Sequence, residues 1–292
     1  MRIFAEKQYL NLISKILKDG VREEGRNGTV IKLIGAQMKF PLNNKSIPLI
    51  TTKKLAWGVC LKELLWFISG STDNGKLREQ GVKIWNKNAS REFLDNNGLF
   101  DRVEDDLGPV YGHQWRHFNA PYLDCDFSYR GAGIDQLKYI ENMLKNKDTR
   151  NSRRILMSAW NPCQIPQMAL PPCHVLSQFH VTEGYKLSCS VYQRSADVGL
   201  GLPFNIASYS FLTHLLAKHC DLEASELIHT IGDAHIYEEH ASALETQIVR
   251  NPLPPPVLNI KYKRDRLDYY KFKDFMIEGY NYYDEIKMDM KA

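Results

Sequence analysis

Residues Trp57 to Ile68, WGVCLKELLWFI, are apolar on almost every side of a helix, and this stretch limits the folds open to the chain. A helix of that kind must be buried on most faces rather than one. It is too short to cross a bilayer, which takes roughly 20 residues, so it needs a protein interior around it. Ile206 to Cys220 makes the same demand and is long enough to be the central helix. Hydrophobic residues at 43% and charged residues at 25% are globular values that permit such an interior. A length of 292 residues allows one large domain or two ordinary ones. No apolar run reaches membrane-spanning length and MRIFAEKQYL has no signal-peptide core, so a soluble, cytoplasmic protein is expected. The six cysteines show no CxxC pair and no zinc-like spacing; free thiols and no metal are expected. A net charge of +4 makes no case for DNA but leaves room for a locally cationic pocket.

The first half predicts an amphipathic helix from Glu6 to Lys18, a Gly25-Arg-Asn-Gly28 turn with Arg26 at its apex, and a strand from Val30 to Phe40. Gly35 inside that strand suggests a bulge or a close approach. Residues 69–135 are rich in Gly, Asn and Asp and read as a loop-rich excursion with short helices. Another amphipathic helix spans about Gly133 to Lys145. The second half reads as sheet: Arg153 to Trp160, Val175 to Val181, Lys186 to Arg194 and His229 to Tyr237, with the middle two joined as a hairpin. Asn205 stands where it would cap the helix that begins at Ile206. The prolines of Asn251 to Pro256 make a stiff connector before a final strand and a tail.

Chemistry concentrates at Leu170-Pro-Pro-Cys-His174, where two prolines stiffen the chain just before a thiol. An imidazole base for Cys173 is one reading, a buried structural cysteine another. Sequence-adjacent residues usually diverge, so His174 is a poor base for its neighbour. Nearby guanidinium groups offer a different way to activate the thiol. Arg26, the pair Arg153 and Arg154, and Arg194 are candidates for a dianion site, since converging planar forks bind phosphate strongly. On a strand the adjacent pair points to opposite faces, so one of the two must serve a different neighbour, such as another subunit. Glu63 has only Val59, Cys60, Trp66 and Phe67 as helical neighbours. A carboxyl buried without an ion partner moves toward neutrality and becomes a usable proton donor and acceptor.

Leu170 to His174, Tyr192 to Ser195, Asp197 to Ser208, Gly232 to Tyr237 and Met157 to Pro162 together closely resemble thymidylate synthase, the folate-dependent family that methylates deoxyuridylate. The likeness runs in one order from about Glu6 to the C-terminus. It implies an α+β fold of residues 1–292 as a single domain, a large mixed β-sheet flanked by helices, and a homodimer with the sheets back to back. By the resemblance, Cys173 adds to C6 of uracil, and C5 then takes the one-carbon unit of 5,10-methylenetetrahydrofolate, the co-substrate. Arg26, Arg194 and Ser195 bind the phosphate of dUMP, joined across the dimer interface by Arg153 and Arg154. His235 and Tyr237 bind the sugar, and Asn205 reads the O4 and N3 edge of the base. Glu63 and Tyr111 are implied as the proton-handling pair, with His174 tuning its surroundings. Ile84, Trp85, Asn88, Asp197, Leu200, Phe204 and the terminal Ala292 are implied on the folate side.

The Arg26 turn is one residue shorter before Gly35 than the family's usual form, and Asn86, Ala89 and Ala56 replace more common residues near the folate. The chain ends Met-Lys-Ala292 rather than in a small apolar pair. It carries no dihydrofolate reductase segment, so regeneration of the folate is expected from another protein. The rival enzyme is a deoxyuridylate hydroxymethylase, against which Trp85 speaks, because the resemblance implies that this residue shields the intermediate from water. A non-catalytic nucleotide or RNA binder would have no use for Cys173, Glu63 and Tyr111 together.

Overall fold

The computed structural model describes residues 3–25 and 27–291. The chain opens with α1 (Ile3–Asp19), whose Tyr9, Ile13 and Ile16 are fully buried. A charged hairpin follows, β1 (Val21–Gly25) and β2 (Gly28–Pro41), paired antiparallel. Every residue of β1 is exposed, and this explains why no apolar alternation announced it; short charged strands are how sheets protect an edge. Next come α2 (Trp57–Ile68), with the boundaries expected, and the loop-rich stretch holding α3 (Asn74–Glu79), α4 (Arg91–Asn96) and α5 (Tyr111–His117). Leu107, Val110 and Trp115 of that stretch lie in the core. The amphipathic helix α6 (Gln136–Lys145) starts after Gly133, where Asp135 accepts the Lys138 N–H at 2.8 Å and caps it.

The sheet strands of the second half are β3 (Leu156–Ser158), β4 (His174–Thr182), β5 (Lys186–Asp197) and β6 (Glu223–Tyr237). Helix α7 (Gly201–His219) connects β5 to β6, and α8 (Ala241–Ile248) precedes the small hairpin sheet of β7 (Val257–Ile260) and β8 (Phe275–Glu278). The main sheet runs β1-β2-β6-β5-β4-β3. Its β5 and β6 are parallel, as a helical crossover requires, and the remaining pairs are antiparallel. The protein is therefore α+β, with a large mixed sheet flanked by helices.

Three expectations are corrected by the structure. Asn205 is not an N-cap: α7 already begins at Gly201, with Leu200 at the cap position. Pro203 falls in the first turn, where its missing N–H has no helical partner to lose. Arg153 and Arg154 do not open a strand; they lie exposed on a turn, and β3 starts at Leu156. Gly35 is a left-handed kink at φ +75° rather than a bulge, because the register carries through from Ile34↔Asp233 to Ala36↔Ile231 with no inserted residue.

Alternation along the strands separates two faces. Ser177, Val191, His229 and Met38 form one cross-strand row and are all buried on the side of α7. Leu176, Tyr192 and Thr230 form the next row and are half-buried or exposed. The α7 face is thus a protein core that opens, toward the ends of β5 and β6, into a cleft.

Candidate active site

The cleft has a volume of about 800 Å³ and gathers residues from β2, α2, α5, β5, α7, β6 and the C-terminal tail. Cys173, at the mouth of β4, is half-buried on its wall. Pro171 and Pro172 have no N–H to donate, and each offers only a carbonyl acceptor. Arg194 occupies both: Nε donates to the Pro172 carbonyl at 2.8 Å and Nη2 to that of Pro171 at 3.0 Å. The Arg194 backbone N–H donates to the Cys173 carbonyl at 2.8 Å, and its Nη2 stands 3.9 Å from Cys173 Sγ. The prolines therefore hold a cation beside the thiol as well as stiffening the chain before it.

His174 lines the same cleft, but its ring is engaged with other partners than Cys173. It is 7% exposed, its Nδ1 lies 2.8 Å from the Tyr209 hydroxyl, and its ring stacks on Tyr111 at 4.0 Å. Burial, helped by the neighbouring His229, pushes its imidazole down to about 3, so it stays neutral at physiological pH. The Tyr111 hydroxyl accepts the backbone N–H of Cys173 at 2.7 Å, and burial raises its phenol well above the ordinary value.

Glu63 faces the same cleft from α2. Burial lifts its carboxyl from 4.5 to about 7, and the Trp85 indole N–H, donating to Oε1 at 2.6 Å, pulls the other way. The helix offers no ion partner, as expected, yet a hydrogen-bond donor arrives from a separate loop. Such a carboxyl exchanges protons at neutral pH.

Asn205 projects into the cleft from the second turn of α7, and its Oδ1 accepts from Gln193 Nε2 at 3.0 Å. Ser195, His235 and Tyr237 line the cleft, with His235 Nδ1 3.0 Å from Asp233 Oδ1. Ile84, Trp85, Asn88, Asp197, Leu200 and Phe204 make the remaining wall. Asp197 Oδ1 accepts the N–H groups of Gly199 and Leu200 at 2.9 and 3.3 Å, bracing the turn into α7. Arg153 and Arg154 are not brought to the cleft of their own chain. Arg26 and Ala292 lie outside the described residues.

A family model described as thymidylate synthase matches residues 7–292. The chain belongs to the thymidylate synthase family. It is 52% identical over 286 residues to a bifunctional dihydrofolate reductase-thymidylate synthase of Paramecium tetraurelia, covering 98% of this chain and 61% of that protein. It is 51% identical over 297 residues to the thymidylate synthase of Saccharomyces cerevisiae, covering 98% of this chain and 97% of the yeast protein. With the human thymidylate synthase it shares 50% over 286 residues, covering 98% of this chain and 90% of that protein. The chain spans about half to three-fifths of the length of the bifunctional relatives.

Several residues that line or back the cleft were not anticipated from the sequence. Gln193 is 2% exposed and ties Asn205 to the Ser195 carbonyl and to His229. Its signal was available: a polar residue at an inward position of an alternating strand needs a partner. Tyr209, partner of His174, was hidden within an apolar helix. Lys32 of β2, ion-paired with Glu23, and Met288 and Met290 of the tail also line the cleft; nothing local marked them.

Proposed function

We propose that this chain catalyses the reductive methylation of dUMP to dTMP, a methyl transfer of nucleotide biosynthesis. The co-substrate 5,10-methylenetetrahydrofolate supplies the carbon and a hydride and leaves as dihydrofolate. The observation that carries the reading is the Cys173 thiol, 3.9 Å from the Arg194 guanidinium, in one cleft with Glu63 and Asn205. A fixed cation beside sulfur favours the thiolate, the form that attacks.

Cys173 adds through Sγ to C6 of the uracil ring, and the ring's electron pair moves to C5 and O4. Asn205 meets the O4 and N3 edge, where that charge collects. Once C5 carries the new carbon, its proton leaves through the network of Tyr111 and Glu63. The carboxyl at about 7 takes and returns protons without large cost. The electron pair left by the C5 proton forms a double bond from C5 to the new carbon and expels the folate nitrogen. The folate's hydride then adds to that carbon, the C5–C6 double bond re-forms, and the S–C6 electron pair returns to Sγ, freeing Cys173 and leaving dihydrofolate. Arg194 and Ser195 bind the phosphate, together with Arg26, while His235 and Tyr237 bind the sugar.

The folate fits the opposite wall. Ile84, Leu200, Phe204 and Trp85 offer apolar surface there, and the Asn88 amide nitrogen is buried without a hydrogen-bond partner among the described residues. Asp197 supplies an acceptor for the pterin. Ala292 is assigned to closure on this side.

The active form is a homodimer in our reading, with residues 1–292 of each chain as one domain. Leu156, Leu176, Tyr192 and Ile228 lie half-buried or exposed on the sheet face opposite the Val191 row, interspersed with Gln178, Ser190 and Thr230, a mixed surface suited to back-to-back packing with a second copy. Arg153 and Arg154 then reach the partner's phosphate site. No helix among the described residues is long and apolar enough to cross a membrane; with six free cysteines, we place the protein in the cytoplasm.

Incubation with dUMP and methylenetetrahydrofolate tests the reading, following dihydrofolate absorbance and pyrimidine mass together. Equal yields of dihydrofolate and dTMP are expected. A hydroxymethyl product without dihydrofolate would instead identify the hydroxymethylase.

A further inference from the structure

We propose that His229, a residue walled off from the cleft, sets the preference for uracil over cytosine by locking the amide of Gln193 and, through it, that of Asn205. The proposal rests on the reading of Asn205 as the amide that meets the base.

The Ser195 carbonyl only accepts, so the Gln193 amide atom 2.9 Å away is the nitrogen. That nitrogen's second hydrogen points at Asn205, 3.0 Å distant, so the Asn205 atom there is oxygen. The remaining Gln193 atom, Oε1, lies 2.8 Å from His229 Nε2, which must then carry a proton. His229 is 0% exposed, and its Nδ1 has no hydrogen-bond partner among the described residues. A neutral imidazole has one N–H, and here only Nε2 has an acceptor for it. Burial, which holds the ring down to about 3, keeps it in that neutral form.

The lock matters because an amide is nearly symmetric in shape and opposite in chemistry at its two ends. Asn205 Oδ1 keeps a second lone pair for a ring N–H, and Nδ2 keeps its hydrogens for a carbonyl. Uracil offers that combination at N3 and O4; cytosine offers the reverse, a bare N3 and an amino group. A freely turning amide serves both bases. For Asn205 to turn over, its N–H must face the N–H of Gln193. For Gln193 to follow, its oxygen must face the Ser195 carbonyl, and the His229 donor must be left unpaired. Each arrangement strands a buried polar group.

His229→Leu removes the donor at similar volume. The ratio of dCMP to dUMP dissociation constants, measured by calorimetry on the full chain, is expected to fall about tenfold. His229→Gln, which keeps a donor, is expected to restore the ratio. Equal weakening of both nucleotides in His229→Leu, with the ratio unchanged, would mean packing alone and overturn the proposal. Nitrogen-15 NMR of the wild-type histidines gives a readout independent of any variant's folding. A neutral Nε2–H ring at neutral pH is expected, and an Nδ1–H or protonated ring would overturn the proposal with no reference to substrate. Failure of the wild type to bind dUMP overturns the functional reading itself, and the selectivity proposal with it.

Discussion

At the end of the cleft proposed to hold the base, polar side chains are held by others of the same chain: His229 holds Gln193, Gln193 holds Asn205, and Trp85 holds Glu63. At the end proposed to hold the phosphate, among the described arginines, Arg194 is tied down by two proline carbonyls, while Arg153 and Arg154 lie exposed on a turn away from the cleft. One end needs burial, because burial fixes protonation and amide orientation. The other needs cations that stay charged, and these can be delivered from outside. The contrast predicts that variants at the base end change chemistry and selectivity, whereas those at the phosphate end change affinity and depend on the partner chain.

Cys173→Ala gives the largest effect. Dihydrofolate formation should fall by at least roughly ten-thousand-fold, while dUMP affinity stays within a few-fold by calorimetry, since the arginines are untouched. Unchanged turnover would remove Cys173 from the mechanism.

Glu63→Gln comes next, with kcat reduced about 10²- to 10⁴-fold and the limb of the pH profile near the Glu63 value abolished. Stability moves the other way. The folded-state value is raised from 4.5 to about 7, so the unfolded chain releases this proton first. Below 4.5 both states keep it and Glu63 costs nothing; as pH climbs toward 7 stability is lost, and the whole cost stands above that value. Denaturant titrations should find the variant more stable than wild type by about 1–3 kcal/mol in alkaline buffer, and equal to it in acid. A variant less stable at both extremes would show that the carboxylate is not strained by burial.

Arg153→Ala and Arg154→Ala should each raise KM for dUMP about tenfold with kcat retained. Mixing Arg154→Ala chains with Cys173→Ala chains sharpens the point. If the arginines cross the interface, the mixed dimer has one site with an intact thiol and a wild-type arginine, and low-substrate activity returns. No recovery in proven mixed dimers would put the arginines in their own chain's site.

The two ends also differed in how readable they were. Glu63 and the limits of α2 follow from one helical turn of neighbours, and the β4–β5 hairpin follows from alternation around a turn; both are local. Gln193 and His229 lie 36 residues apart and meet only because β5 and β6 pair in parallel across the α7 crossover. No local pattern sets that register. The start of α7 was misplaced for a local reason: Asn205 has the chemistry of a cap, yet the helix begins at Gly201 and carries Pro203 harmlessly in its first turn. Arg153 and Arg154 stood out only as candidate anion ligands, and the alternation argument applied to them failed because they occupy a turn.

The smallest expected effect tests whether the base end is tuned or merely buried. Trp85 is 7% exposed and donates to Glu63 at 2.6 Å, which favours the carboxylate and partly offsets burial. Trp85→Phe removes the N–H and keeps an aromatic ring near Trp66 and Tyr111, whose centroids are 6.4 and 6.3 Å from the indole. The Glu63 carboxyl should then rise further, and the corresponding limb of the kcat/KM profile should move alkaline by a fraction of a unit to about one unit. A limb that stays in place with a lower plateau would mean that Trp85 acts on Glu63 through shape and water exclusion, leaving burial as the one control on its protonation.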